Sequence, residues 1–211
     1  MTTGIYLDKS AIRRFLLCAA QSLEEARSEL SALDGEVGDG DHGASMADGF
    51  HAAMRGFDLC GSEKLPDCLR AAGRAFLQAV GATVGPLYAS GFIGAAGRAD
   101  PDGIALASLI SGFSEGIAGR GKAAPGDCTM MDVWEPAAYA AVAAGVTDNP
   151  MQEVLDAAGA GLEATRSMVA SRGRAARLGS RTLGRIDPGA QSAFVILTSL
   201  AGVVRETDPR E

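Results

Sequence analysis

Aromatic side chains make up only 5% of the 211 residues, tryptophan occurs once and histidine twice. So few large rings argue against a sheet core and suit closely packed antiparallel helices rich in alanine and glycine. Bases are the minority charge, 19 against 26 acids, and the net charge of −7 excludes a protein that draws its affinity from a basic nucleic-acid or membrane surface. No apolar run reaches the twenty or so residues of a membrane span. The opening MTTGIYLDKSAIRR lacks the apolar core of a signal peptide, so a cytoplasmic protein is expected. Cys18, Cys60, Cys68 and Cys128 form no CxxC pair, give no zinc pattern and read as reduced thiols. With two histidines and no serine or cysteine obviously paired with either, a nucleophilic triad has little support.

What the chain does have is helical periodicity. Ile12, Phe15, Leu16, Ala19, Leu23, Ala26, Leu30 and Leu33 recur at alternating three- and four-residue steps, one face of a first helix that is expected to end at Asp34-Gly35. A second is expected from about 41 to 56, and further helices at 64–80, 84–97, 102–119, 128–145, 150–169 and 187–205, each bounded by Gly or Pro. SAFVILTSLAGVV alone looks strand-like, but Asp187-Pro188 ahead of it supplies an N-cap and a first-turn proline, so it too reads as helix. The expectation is an all-α chain, an antiparallel eight-helix bundle in one domain over 1–211. The long irregular segment 171–186, SRGRAARLGSRTLGRI, is unusual in a compact domain and reads as functional or mobile.

Asp34, Asp39 and Asp41 crowd into the glycine-rich stretch LDGEVGDGDHGASM. Carboxylates about 5 Å apart repel by roughly 1 kcal/mol in water and roughly 3 kcal/mol at an effective dielectric near 20, so this crowding calls for a cation. Magnesium takes hard oxygen ligands and completes its shell with water and phosphates, which implies a nucleotide or another phosphate. The plain alternative is a solvated turn with a capping aspartate. Gly38, Gly40 and Gly43 formally match GxGxxG, but they follow a helix, not the strand that a dinucleotide fingerprint needs. No twelve-residue window from these aspartates ends in Glu, which excludes an EF-hand.

His42 precedes Gly43-Ala44-Ser45, whose amides at a helix start suit a phosphate; alone it reads equally as a cap or surface residue. His51 reads as structural. VGATVGPLY (80–88) is a second glycine-flanked junction able to hold an anion, and in GDCTMMDVWEPA (126–137) Met130, Met131 and Trp134 are core or line an adenine pocket. Arg172, Arg174, Arg177, Arg181 and Arg185 form either a solvated loop or a flexible basic flap over phosphates.

In this order LDGEVGDGDHGASM, VGATVGPLY, GDCTMMDVWEPA and GRAARLGSRTLGRIDPGAQS resemble the nucleotide-binding L subunit of dihydroxyacetone kinases, over nearly the whole chain. The resemblance implies an eight-helix bundle holding ADP or ATP with magnesium, two ions of it, on Asp34, Asp39 and Asp41. It places His42, Gly43, Ala44 and Ser45 on the phosphate turn, and Thr83, Val84, Gly121, Thr129, Met130, Arg174, Asp187, Pro188 and Gly189 on the other nucleotide-contacting positions, with Arg174 offsetting charge in transfer. It further implies a separate K subunit that holds the sugar and, in the phosphotransferase-coupled version, a phosphohistidine-carrying M subunit that recharges bound ADP. Val84 stands where serine is usual, Cys128 where a base is common, Arg177 where an aromatic is common and Arg185 where histidine is frequent. An ATP-dependent kinase for another small ketose, such as a tetrose, and an ADP-dependent regulatory module remain the alternatives.

Overall fold

The structure, a computed structural model, describes residues 4–81, 83–144, 147 and 149–207. Ala82 of the VGATVGPLY junction and Gly145, the expected end of the 128–145 helix, lie outside the described residues.

Helix α1 (Lys9–Glu25) starts on the Asp8 carboxylate, which accepts the Ala11 N–H at 2.7 Å, and buries Ile12, Phe15, Leu16, Ala19 and Leu23 as their spacing requires. α2 (Arg27–Val37) follows after one residue. Hydrogen bonding continues through the junction: Ala26 N–H donates to Ser22 C=O at 3.0 Å, and Leu30 N–H to Ala26 C=O at 2.9 Å. The expected first helix is therefore one interrupted rod, and it runs past its expected stop at Asp34-Gly35 to Val37. Gly35 costs a helix interior only about 1 kcal/mol, which tertiary packing overrides.

Helices α3 (His42–Asp58), α4 (Leu65–Ala79), α5 (Val84–Arg98), α6 (Leu106–Gly121), α7 (Met131–Ala143), α8 (Pro150–Ala164) and α9 (Pro188–Thr207) follow. From α3 onward each packs on the next, α9 returns to α1, and α1 packs on α3, so among the described residues eight rods close into an antiparallel ring. The scarce aromatics gather inside it. Phe50, Phe76, Tyr88, Phe92, Phe113 and Trp134 are buried, in a chain of ring contacts that ends with Phe113 stacked on Trp134 at 5.4 Å. Trp134 is therefore core. A Cβ on Gly112 would run into the Ala95 backbone, so α5 and α6 meet main chain to main chain.

Three expectations need correction. β1 (Tyr6–Asp8) pairs antiparallel with β2 (Gly103–Ala105), Leu7 opposite Ile104, where helix was expected from 102. Three-residue strands are too short for alternation to be read, and burial of Leu7 and Ile104 fixes the ribbon. The 150–169 helix stops at Ala164 and passes into a 3₁₀ turn, Thr165–Ser167, because the Thr165 hydroxyl donates back to Leu162 C=O at 2.7 Å and accepts the distant Asp187 N–H at 3.2 Å. Segment 171–186 is not wholly irregular: Ala175–Thr182 is 3₁₀ helix broken at Gly179, whose φ of 57° is left-handed. The strand-like SAFVILTSLAGVV lies in α9, whose start is capped by the Asp187 carboxylate accepting the Ala190 N–H at 2.8 Å. Among the described residues no helix is long and apolar enough to cross a membrane.

Candidate functional site

The turn from α2 into α3 carries the acids. Asp34 sits on the last turn of α2, Asp39 and Asp41 between the helices, and oxygens of all three carboxylates lie within 4.8 Å of one another. Asp41 precedes α3, yet its side chain makes no capping bond, which removes the plain reading of a capping aspartate at that position. Burial, and then the charges of Asp39 and Asp34, push the Asp41 carboxyl above the usual carboxylate range. The turn is built by close approach. A Cβ on Gly38 would run into the Asp34 carboxylate, and one on Gly43 into the Arg27 carbonyl, so these positions let the acids fold onto α2.

Opposite the acids stands Arg174, ion-paired with Asp39. Beside this pair opens a cavity of about 320 Å³. Its walls come from the acidic turn, the start of α5, the end of α6, the loop before α7, the 172–175 segment and the start of α9. Asp34, Asp39, Asp41, His42, Ser45, Thr83, Val84, Gly121, Thr129, Met130, Arg174, Asp187, Pro188 and Gly189 all line it. Gly43 and Ala44 do not: Gly43 is pressed against α2, and its part is to set the turn.

His42 is buried, 6% exposed, with Nε2 2.9 Å from the Ser192 hydroxyl. Burial draws its pKa down to about 4, so the ring is neutral and joins α3 to α9. Its backbone N–H donates to Asp34 Oδ2 at 3.4 Å. Burial likewise pushes Asp187 up to about 7. His51 is half-buried 3.8 Å from Glu24, away from the cavity.

The five arginines of 171–186 do not act as one flap. Arg172 and Arg174 line the cavity, Arg172 also binding Asp127 at 3.1 Å; Arg185 pairs with Glu36; Arg177 and Arg181 are exposed outside the cavity. Val84 presents an apolar side chain to the cavity at the start of α5. Cys128 is buried with φ 58°, its thiol pushed by burial up to about 12, and so serves as a small neutral wall.

Sequence reasoning missed Asp132 and the apolar walls Leu87 and Ile117. Asp132 is 2% exposed and accepts N–H bonds from Thr129 at 2.7 Å and Gly126 at 2.5 Å, while Thr129 Oγ1 accepts the Met131 N–H at 3.2 Å. Thr129-x-x-Asp132 is the pattern of a capping box, a signal present in the sequence. Leu87 and Ile117 carry no such signal, since helical leucine and isoleucine read as core.

Three clustered hard oxygen donors, a glycine (Gly38) where a Cβ would crowd the Asp34 carboxylate, and an arginine paired with Asp39 in a cavity with apolar walls fit a divalent ion with a phosphorylated ligand. The DAK2 domain model matches residues 36–202. The chain belongs to the DAK2 domain family. It is 35% identical to the ADP-binding subunit DhaL of PEP-dependent dihydroxyacetone kinase 1 from Listeria innocua, covering 92% of this chain and 96% of that protein. It is 31% identical to the corresponding Escherichia coli subunit, covering 95% and 99%. Among solved structures the dihydroxyacetone kinase of C. freundii, in complex with AMP-PNP and Mg2+, superposes with a TM-score of 0.72 at 24% identity, over 95% of this chain and 35% of that one. At that identity the likeness speaks for the fold.

Proposed function

We propose that this chain is the nucleotide-binding, phosphoryl-transferring subunit of a dihydroxyacetone kinase, working on a sugar held by a separate K subunit. The observation that carries it is the carboxylate triad, with Arg174 paired to Asp39, lining one cavity. Relatives matched along nearly their whole length and named as ADP-binding subunits of this kinase support it, and favour dihydroxyacetone over another ketose and a kinase over a regulatory module.

In this reading Asp34, Asp39 and Asp41 hold magnesium, two ions by family resemblance. Ser45 and the turn through His42, Gly43 and Ala44 receive phosphate, with Thr83 and Val84 at the start of α5 beside them. Gly121, Thr129, Met130 and Asp187-Pro188-Gly189 bound the nucleotide on the remaining sides. A bound magnesium–nucleotide supplies the phosphoryl group and the positive charge that stabilises its transfer. The chain's own residues orient and neutralise. Arg174, free to leave Asp39 once the carboxylates are occupied, offsets charge on the phosphoryl oxygens. His42, its neutral ring tied to Ser192, fixes the carboxylate turn through its backbone N–H to Asp34.

For the donor we favour ADP held as a cofactor and recharged by a phosphohistidine-carrying M subunit, as the names of the PEP-dependent relatives suggest. Exposed Arg177 and Arg181 offer a basic rim for an acidic carrier. The test is reconstitution with a K subunit. Dihydroxyacetone phosphorylation is expected only when K is present, and with excess ATP and no carrier it stops after about one phosphoryl group per chain. Robust phosphorylation by the purified chain alone would overturn the division of labour, and sustained turnover on ATP would replace the bound cofactor with an ATP-dependent mechanism.

A further inference from the structure

The loop before α7 forms one wall of the cavity and is held from two directions. On the inner side the buried Asp132 takes the Gly126 and Thr129 N–H groups. On the outer side Asp127 grips the exposed segment 171–174, of which Arg172, Gly173 and Arg174 line the cavity. Its carboxylate accepts the Ser171 hydroxyl at 2.5 Å, the Ala124 N–H at 3.0 Å and the Arg172 Nε–H at 3.1 Å, and its carbonyl accepts the Ser171 N–H at 3.1 Å. Three residues beyond Ser171, Arg174 reaches Asp39 on the carboxylate turn. The stretch 171–174 thus spans from the α7 loop to the acids, fastened at both ends. The Ser171 hydroxyl, with the Ala124 amide and Arg172, holds the Asp127 carboxyl down to about 2, so this grip stays charged under ordinary conditions.

We propose that Asp127, with Ser171 and Arg172, is the latch that keeps 171–174 lining the cavity and sets how fast nucleotide enters and leaves. Resting on the nucleotide site proposed above, this makes Asp127 a positioning residue, not a contact to the ligand. A contact residue lost from the site raises the release rate and leaves uptake nearly unchanged. A latch behaves differently: loosening it raises the fraction of open molecules whether or not ligand is inside, so uptake and release quicken together. If nucleotide is retained as a cofactor, the latch is what retains it.

The experiment compares the full chain with Asp127→Asn and Ser171→Ala, each first shown to melt cooperatively; Ser171→Ala, which removes one hydroxyl, serves if Asp127→Asn does not fold. Without nucleotide, trypsin is expected to cut after Arg172 and Arg174 about tenfold faster in Asp127→Asn, and by a smaller factor in Ser171→Ala. With a fluorescent ADP analogue and magnesium, uptake and release should both rise by a similar factor. Parent-like cleavage and parent-like rates in both variants overturn the latch. Faster release with unchanged uptake also overturns it, and makes Asp127 a ligand contact. Faster cleavage in the variants, with a parent chain that takes up no magnesium–ADP, overturns the nucleotide reading and the retention role with it, and leaves the grip of Asp127 on 171–174 supported.

Discussion

The carboxylate turn and the arginine segment line one cavity but are positioned by different means. The turn is set locally: its three acids lie within eight residues, between two helices whose approach depends on Gly38 and Gly43. The arginine segment is set from afar, by Ser171 bonding a residue 44 positions away and Arg185 pairing with one 149 positions away. Substitutions in the turn should therefore change what binds. Substitutions in the segment should change how readily binding occurs.

Breaking the turn should give the largest effect. Asp41→Asn removes one of three clustered oxygen donors, so magnesium-dependent nucleotide affinity should fall by more than the roughly hundredfold that can follow loss of a ligand's supporting partner in a metal site. The metal-free protein should gain slightly in stability, about 1 kcal/mol or less after solvent screening, because carboxylate repulsion is relieved. Calorimetric titration and chemical denaturation check the two signs; a variant both weaker in binding and less stable without metal would not fit repulsion among the acids.

Gly43→Ala comes next. It leaves every carboxylate in place but forces a methyl into the Arg27 carbonyl, an overpacking that typically costs about 1–3 kcal/mol. Metal affinity should weaken alongside stability, since α3 must shift from α2. Unchanged urea midpoint and Mn2+ affinity would show that the turn does not depend on this approach.

A pH slope is the effect to read where the turn and α9 meet. Folded His42 stays neutral down to about pH 4 but protonates near 6.5 when unfolded, so it removes stability as pH falls through that window. Asp187 runs the other way, keeping its proton to about pH 7 when folded and losing it near 3.8 when unfolded, so it removes stability as pH rises. In the parent chain the two slopes offset. His42→Gln should leave stability falling with rising pH between about 4.5 and 6.5, and Asp187→Asn should leave it rising, each with a limiting slope of about 1.4 kcal/mol per pH unit. Denaturation at three pH values reads both signs, and the same sign in both variants contradicts the assignment.

The same contrast accounts for what the sequence made legible. Helix existence followed from periodicity, and the α9 stretch was rescued from a strand reading by Asp187-Pro188, since caps and prolines act over three or four residues. The acids were legible because glycine spacing and charge crowding are local. Burial of the His42 ring against Ser192, the division of the five arginines among three surroundings, and the β1–β2 ribbon were not, because each depends on partners brought by the ring closure. Asp132 lay between these cases: its capping pattern was readable, its place behind the cavity wall was not.

Whether Asp34, Asp39 and Asp41 hold a magnesium–nucleotide in this cavity, as proposed, is tested most directly by the melting temperature of the full chain with and without ADP and magnesium. At a hundred times the dissociation constant, ligand contributes about 2.7 kcal/mol, which in a chain of this size raises the midpoint by about 5–10 °C. That rise is expected with ADP and magnesium together, a much smaller one with ADP alone, and none in Asp41→Asn. A folded parent chain whose midpoint does not move with ADP and magnesium would contradict the proposal.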